Sequence, residues 1–194
     1  NRSPAWSPDG RYLAYVSRRG QSRVPTPGAV TLVIRSVDSG EERDVRLKTL
    51  RSLTQARWCA GGRSILGIGS DQKKYGICQV DAHTGEASEI AMQVPPAPYL
   101  QQPQCSPDGK SIFYSERDPS FVWRIRARHL QTGQEMELYR APQLSGLRAM
   151  ALSPDGRHVA LAVRSALLII STAGGESREL FSLQKPESII SLAW

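Results

Sequence analysis

An all-β chain of four-stranded antiparallel blades, a β-propeller, is predicted by three features of the 194-residue sequence. The stretch Trp6-Ser7-Pro8-Asp9-Gly10 recurs as Cys105-Ser106-Pro107-Asp108-Gly109 and as Leu152-Ser153-Pro154-Asp155-Gly156. A worn copy reads Trp58-Cys59-Ala60-Gly61-Gly62. A second turn signal falls between copies of the first, at Asp38-Ser39-Gly40, Asp81-Ala82-His83-Thr84-Gly85, Gln131-Thr132-Gly133 and Ala173-Gly174-Gly175. The first-turn glycines (10, 62, 109, 156) lie 52, 47 and 47 residues apart, and the second-turn glycines (40, 85, 133, 175) lie 45, 48 and 42 apart. A period in the forties with two hairpins per unit means four strands per unit, which is a propeller blade.

The turn residues follow from backbone chemistry. Proline presets φ for the first central position of a type I turn, aspartate tolerates the second, and glycine takes the left-handed position after them. The leading serine can fold its hydroxyl onto the turn backbone. Ser7, Pro8, Asp9 and Gly10 are therefore structural, as are Ser106, Pro107, Asp108, Gly109, Ser153, Pro154, Asp155 and Gly156. Gly62 keeps the left-handed position although proline and aspartate are gone from its copy.

The strands follow in order. Unit one (1–49) offers 3–7, 11–17, 30–37 and 42–48, with a long Pro- and Gly-containing connection over 18–29 that excludes regular structure. Unit two (50–93) offers 53–59, 64–69, 74–81 and 86–91. A proline-rich crossover opens unit three (94–142), with strands 99–105, 110–116, 121–129 and 134–140. Unit four (143–187) offers 146–152, 157–163, 166–171 and 177–183, and 188–194 reads as the first strand of a further blade. Alternation puts Ala14, Val16, Leu32, Ile34, Ile65, Ile68, Ile77, Val80, Ile112, Phe113, Val122, Ile125, Val159, Leu161, Leu168 and Ile170 between neighbouring sheets. Phe121 and Trp123 are assigned to the same core.

The pattern Trp-Ser-Pro-Asp-Gly-Arg-x-Leu-Ala-Tyr-x-Ser of residues 6–17 resembles the repeat of TolB-like β-propellers, and the resemblance covers the whole chain. Those propellers usually close with six or more blades, so the resemblance implies a segment of a larger ring. A compact four-bladed ring or an assembly of two copies is the alternative, and open blade edges imply self-association. Related propellers stand in the Tol translocation protein, before the catalytic domains of prolyl-oligopeptidase-like peptidases, and as sensor regions fused to bacterial kinases or winged-helix regulators. The resemblance implies a periplasmic or other extracytoplasmic setting without fixing it.

No catalytic set stands out. His83, His129 and His158 fall in separate units with no nucleophile elbow, and the acidic residues are scattered singly. No metal site or cofactor is expected. Three cysteines, an odd number, argue against a disulfide framework, and Cys59, Cys78 and Cys105 are expected as free buried thiols. No apolar run is long enough to span a membrane.

The charge is more informative. Residues 1–63 hold twelve Lys/Arg against five Asp/Glu, and the remainder thirteen against thirteen, so the net charge of +7 lies in the first third. In a blade, the first-to-second and third-to-fourth turns share one end, and the second-to-third turns share the other with the inter-blade crossovers. Arg18, Arg19, Arg23, Arg51, Lys73, Lys74 and Arg117 thus form the candidate binding rim at the crossover end. The expected function is a non-catalytic module of a larger bacterial protein that recognises a protein or small anionic ligand there. Nucleic acid is not expected, since no aromatics interleave the basic residues and no helix is available for a groove. The alternatives are an accessory propeller of a hydrolase whose catalytic domain lies elsewhere, and a sensor domain.

Overall fold

The structure is a computed structural model that describes residues 2–17, 30–94, 98–142, 146–184 and 187–194. Four meandering sheets are present, each antiparallel and four-stranded, with strands adjacent in the order of the chain. The first contains β1 (Arg2–Trp6), β2 (Tyr12–Ser17), β3 (Thr31–Ser36) and β4 (Glu42–Arg46), and the second β5 (Ser52–Trp58), β6 (Ser64–Ser70), β7 (Tyr75–Asp81) and β8 (Ala87–Gln93). The third contains β9 (Tyr99–Cys105), β10 (Ser111–Arg117), β11 (Trp123–His129) and β12 (Glu135–Arg140). The fourth contains β13 (Leu147–Leu152), β14 (His158–Val163), β15 (Ala166–Ser171) and β16 (Arg178–Ser182). Strand ends fall within two residues of those read from the turns, and there is no helix among the described residues. Residues 187–194 form no strand.

Three first turns are built alike. Ser7 Oγ donates to Asp9 Oδ1 at 2.6 Å and accepts the Tyr12 N–H at 2.8 Å, while Asp9 Oδ1 also accepts the Arg11 N–H at 3.0 Å. Ser106 with Asp108, and Ser153 with Asp155, repeat the arrangement. In the worn copy the backbone bonds remain, from the Gly62 N–H to the Cys59 carbonyl and from the Cys59 N–H to the Ser64 carbonyl, both at 2.9 Å. The shared backbone survives the loss of its side-chain bonds, since the left-handed glycine is what the turn requires.

The chain divides into two compact units, Asn1–Pro96 and Ala97–Trp194, each holding two blades. In the first, Ala14, Val16, Leu32, Ile34 and Val45 pack on Leu53, Ala56, Ile65, Cys78 and Val80. In the second, Phe113, Ile125 and Leu138 pack on Met150, Val159, Leu161, Leu168 and Ile170. Ile77 and Ile112 are fully buried outside these two clusters, and Ile68 and Val122 are only half-buried. The blades of a unit are also stitched by polar bonds. Trp58 Nε1 donates to the Ala5 carbonyl at 3.0 Å, and the Gln104 amide bridges the Met150 carbonyl and the Leu152 N–H at 2.7 and 2.8 Å. Neither Cys59 nor Cys105 is a free thiol, which corrects the expectation of three free thiols. An odd count forbids complete pairing but says nothing about any one cysteine. Cys78 is the free, buried thiol, and burial pushes its pKa up to about 12.

Each first strand carries a register shift: between Arg2 and Ala5, Thr54 and Arg57, Gln101 and Gln104, and Leu147 and Ala149. Ser3, Gln55 and Gln102 stand there with φ of 53°, 53° and 54°. These are β-bulges, in which one extra residue on a strand switches the face of everything beyond it.

Two turn glycines separate conformational strain from crowding. Gly10 (φ +71°) faces open space, whereas a Cβ on Gly85 (φ +75°) would strike the Arg46 carbonyl and the Val45 side chain of the neighbouring blade. Gly10→Ala should therefore cost about 1 kcal/mol, the left-handed penalty alone. Gly85→Ala should cost about 3 kcal/mol, that penalty plus overpacking. Urea unfolding of the two variants checks this, and equal losses would contradict it.

Candidate functional site

The crossover end of the third blade gathers exposed aromatic rings around one arginine. In the ladder, Arg117 lies opposite Tyr99 on β9 and opposite Trp123 on β11, so all three side chains share a face. Phe121 joins from the β10–β11 turn with φ +62°, a left-handed conformation that an aromatic residue rarely takes. The guanidinium carbon lies 5.6 Å from the Tyr99 ring centre, 5.1 Å from Phe121 and 5.6 Å from Trp123. Phe121 is 57% exposed and Tyr99 46%. Trp123 is half-buried against the core shared with the fourth blade.

This corrects the assignment of Phe121 to the core. The turn consumes residues 118–122, so β11 begins at Trp123 and Phe121 has no place in the alternation. Asp118 holds the turn closed. Its N–H donates to the Val122 carbonyl at 3.0 Å, the Phe121 N–H donates to its carbonyl at 2.9 Å, and its Oδ1 accepts the Val122 N–H at 3.0 Å. Its Oδ2 meets Arg124 Nη2 at 2.7 Å.

The opposite face of the blade carries an ionic network. Glu116 pairs with Arg126 Nε at 2.8 Å and with Arg124 at 3.7 Å. Glu137 pairs with Arg124 at 3.4 Å and with Arg140 at 2.9 Å, and Glu135 accepts from Arg128 at 2.7 Å and from the Tyr114 hydroxyl at 2.9 Å. Burial, then the Glu135 carboxylate, raises the Tyr114 hydroxyl well above its ordinary value. Each of these four arginines has an acidic partner. Arg117, on the other face, has no carboxylate within ion-pair distance among the described residues.

The magnitudes explain how Arg117 is held without one. A cation on an aromatic face gains about 0.5–1 kcal/mol when exposed and about 2 when desolvated. A surface ion pair gains about 0–1 kcal/mol. Three rings hold the guanidinium at least as well as one carboxylate would, while its N–H donors stay at the edge, uncommitted.

The other basic residues of the crossover end are distributed as follows. Arg51 donates its backbone N–H to the Ser70 carbonyl at 2.7 Å, and its buried Nε has no hydrogen-bond partner. Lys73 is exposed, and Lys74 Nζ is paired with Glu89 at 3.1 Å. Both lysine N–H groups donate to Asp71, at 2.6 and 2.7 Å. Arg51, Lys73 and Lys74 belong to the first unit and Arg117 to the second. Arg18, Arg19 and Arg23 lie outside the described residues.

Clefts open at the other, turn end of each unit. One of about 790 Å³ is lined by Tyr12, Glu42, Arg43, Trp58, Arg63 and His83, and one of about 510 Å³ by Asp108, Phe113, His129, Glu135, Met136 and Asp155. Several of their polar groups are already committed. Arg43 donates to the Ala82 and His83 carbonyls at 3.0 and 3.3 Å, Glu42 accepts from Tyr15 at 2.6 Å, and Asp108 accepts from its own turn. Among the described residues no group of three or more His, Cys, Asp or Glu side chains could hold a metal ion.

Asp118 gives the site a pH dependence. The Val122 N–H, then the Arg124 guanidinium, hold its carboxyl below the ordinary carboxylate value. A depressed pKa means stabilisation that is present above the unfolded value of about 4 and lost as pH falls through the folded one. Acidification below the ordinary carboxylate range should therefore loosen the 118–122 turn before the sheets melt. The Trp123 indole resonance, followed by NMR, should move with it, and Asp118→Asn should show the acid-like position already at neutral pH. An indole signal that ignores both changes would contradict the assignment.

No protein-family model and no curated protein matches the sequence. Solved structures match the fold. TolB from Acinetobacter baumannii superposes with a TM-score of 0.64 at 16% identity, over 92% of this chain and 45% of that one. A structure described as TolB from Agrobacterium tumefaciens gives 0.71 at 19% identity, over 94% and 62%. An oligogalacturonate lyase in complex with manganese gives 0.69 at 15% identity, over 95% and 53%. At these identities the likeness concerns the fold, and the chain spans between 45% and 62% of the length of these three. The fold is that of TolB-like β-propellers.

Proposed function

We propose that this chain is a non-catalytic binding module of a larger protein, and that it docks a protein partner at the crossover end of its third blade. The observation that supports this reading is the cluster of Tyr99, Phe121 and Trp123 around Arg117. Tyrosine, tryptophan and arginine are the residues that dominate binding energy at protein interfaces. Two of the rings are exposed, and a left-handed backbone at Phe121 is a strained position of the kind found at binding sites. The absence of catalysis is part of the proposal, since a lyase shares the fold.

The basic rim of the first unit is a weaker support. Lys74 is neutralised by Glu89, and Arg51 is half-buried, which leaves Lys73 as the exposed cation among the three.

Site-specific photo-crosslinking tests the proposal. A benzoylphenylalanine at Phe121 should capture one discrete protein from extracts of the source cells. The same probe at Trp6, an exposed ring at the turn end of the first blade, should not. Equal capture at both positions, or capture only at Trp6, would overturn it.

A further inference from the structure

We propose that Arg117 anchors a carboxylate, and that the partner presents it as an Asp or Glu flanked by apolar side chains in an extended peptide segment. This rests on the docking reading above and names the chemistry recognised there.

Rings of Tyr99, Phe121 and Trp123 lie within 5.6 Å of the Arg117 guanidinium carbon, so the cation stands among aromatic surface and is partly dehydrated. What remains is its edge of N–H donors, whose planar fork matches a carboxylate in two parallel hydrogen bonds. No acid of this blade takes that place. Glu116 is committed to Arg126 and Arg124, Asp118 to its turn and Arg124, and Glu137 to Arg124 and Arg140. The ladder explains the separation: Glu116 and Arg124 stand one residue from Arg117 and Trp123, and therefore on the other face of the sheet.

The rings supply the second half of recognition. Phe121 and Tyr99 expose apolar surface beside the donors, which suits a peptide whose acidic residue has apolar neighbours. A single-stranded nucleic acid would also stack on aromatic rings, but it needs a basic track for successive phosphates. Within the third blade Arg124, Arg126, Arg128 and Arg140 each already have an acidic partner, and the one arginine of that blade left without one fits one carboxylate.

The test uses the full chain and two acetylated, amidated pentapeptides, Gly-Phe-Glu-Phe-Gly and its Gln counterpart, with oligothymidylate as a third probe. Binding is followed by NMR at the Trp123 indole and the Arg117 Nε–H. The Glu peptide should bind at least about tenfold tighter than the Gln peptide, as a charge-assisted hydrogen bond implies. Arg117→Gln should abolish that difference, and Phe121→Ala should weaken both peptides while keeping it. The same spectra show whether each variant is folded. Equal binding of the two peptides to the unaltered chain, both weakened by Phe121→Ala, would remove the carboxylate and leave the docking surface standing. A difference that survives Arg117→Gln would remove Arg117 as the anchor. Absence of shifts at these residues with either peptide would overturn both readings. Tighter binding of oligothymidylate than of the Glu peptide would assign the site to nucleic acid instead.

Discussion

One extra residue in β9 decides what the crossover end of the third blade presents. Near the turn, Phe113 faces Gln104; two residues further along β10, Ser115 faces Gln101, three residues back along β9. Gln102, with φ of 54°, is the residue that absorbs the difference. Side chains alternate across a strand, so this bulge transfers everything before it in β9 to the opposite face. Without it Arg117 would face Leu100, and Tyr99 would project from the far side of the sheet. With it, Leu100 is buried beside Glu116 and Tyr99 stands against Arg117. A left-handed non-glycine backbone costs about 1–3 kcal/mol. That strain is tolerated in three of the four first strands, at Ser3, Gln55 and Gln102. The bulge is therefore a property of the blade, and the third blade has placed an aromatic residue where it takes effect.

The rest of the blade supports that arrangement by separating two kinds of charge. The acids and four arginines of β10–β12 neutralise one another on one face, and Arg117 is held by rings on the other. A buried or half-buried ion pair contributes little net stability, because desolvation offsets attraction, but it is costly to break from one side. Its use here is positional. Asp118 bonds both the turn backbone and Arg124, tying the conformation of the Phe121 loop to the network behind it.

The blades were legible in the sequence because their turns are written in residues with narrow conformational tolerance. Ser-Pro-Asp-Gly can do little else, and Gly62 marks its turn after the side chains have changed. Arg117 was legible as a basic residue at the crossover end by counting turns. Its aromatic partners were not. Alternation from 121 assigned Phe121 to the core, where a five-residue turn actually holds it outside, and nothing in the run from Tyr99 to Cys105 announces a bulge at Gln102. The available signal was the symmetry of Arg117 and Trp123 about the turn centre, which makes them cross-strand neighbours in any hairpin of that length. The cysteines were misread for a simpler reason, since counting them tests a framework and does not test the state of any one thiol.

On the docking proposal, residues 99, 117, 121 and 123 serve binding while the Ser-Pro-Asp-Gly turns serve the fold. A substitution scan over 98–142, read in parallel for folding and for binding of the acidic pentapeptide, tests it most directly. Substitutions at those four positions should depress binding in variants that remain folded, whereas substitutions at Ser106, Asp108 and Gly109 should depress binding only as far as they depress folding. The reverse pattern, with binding losses independent of folding at the turns and none at the aromatic cluster, would contradict the account.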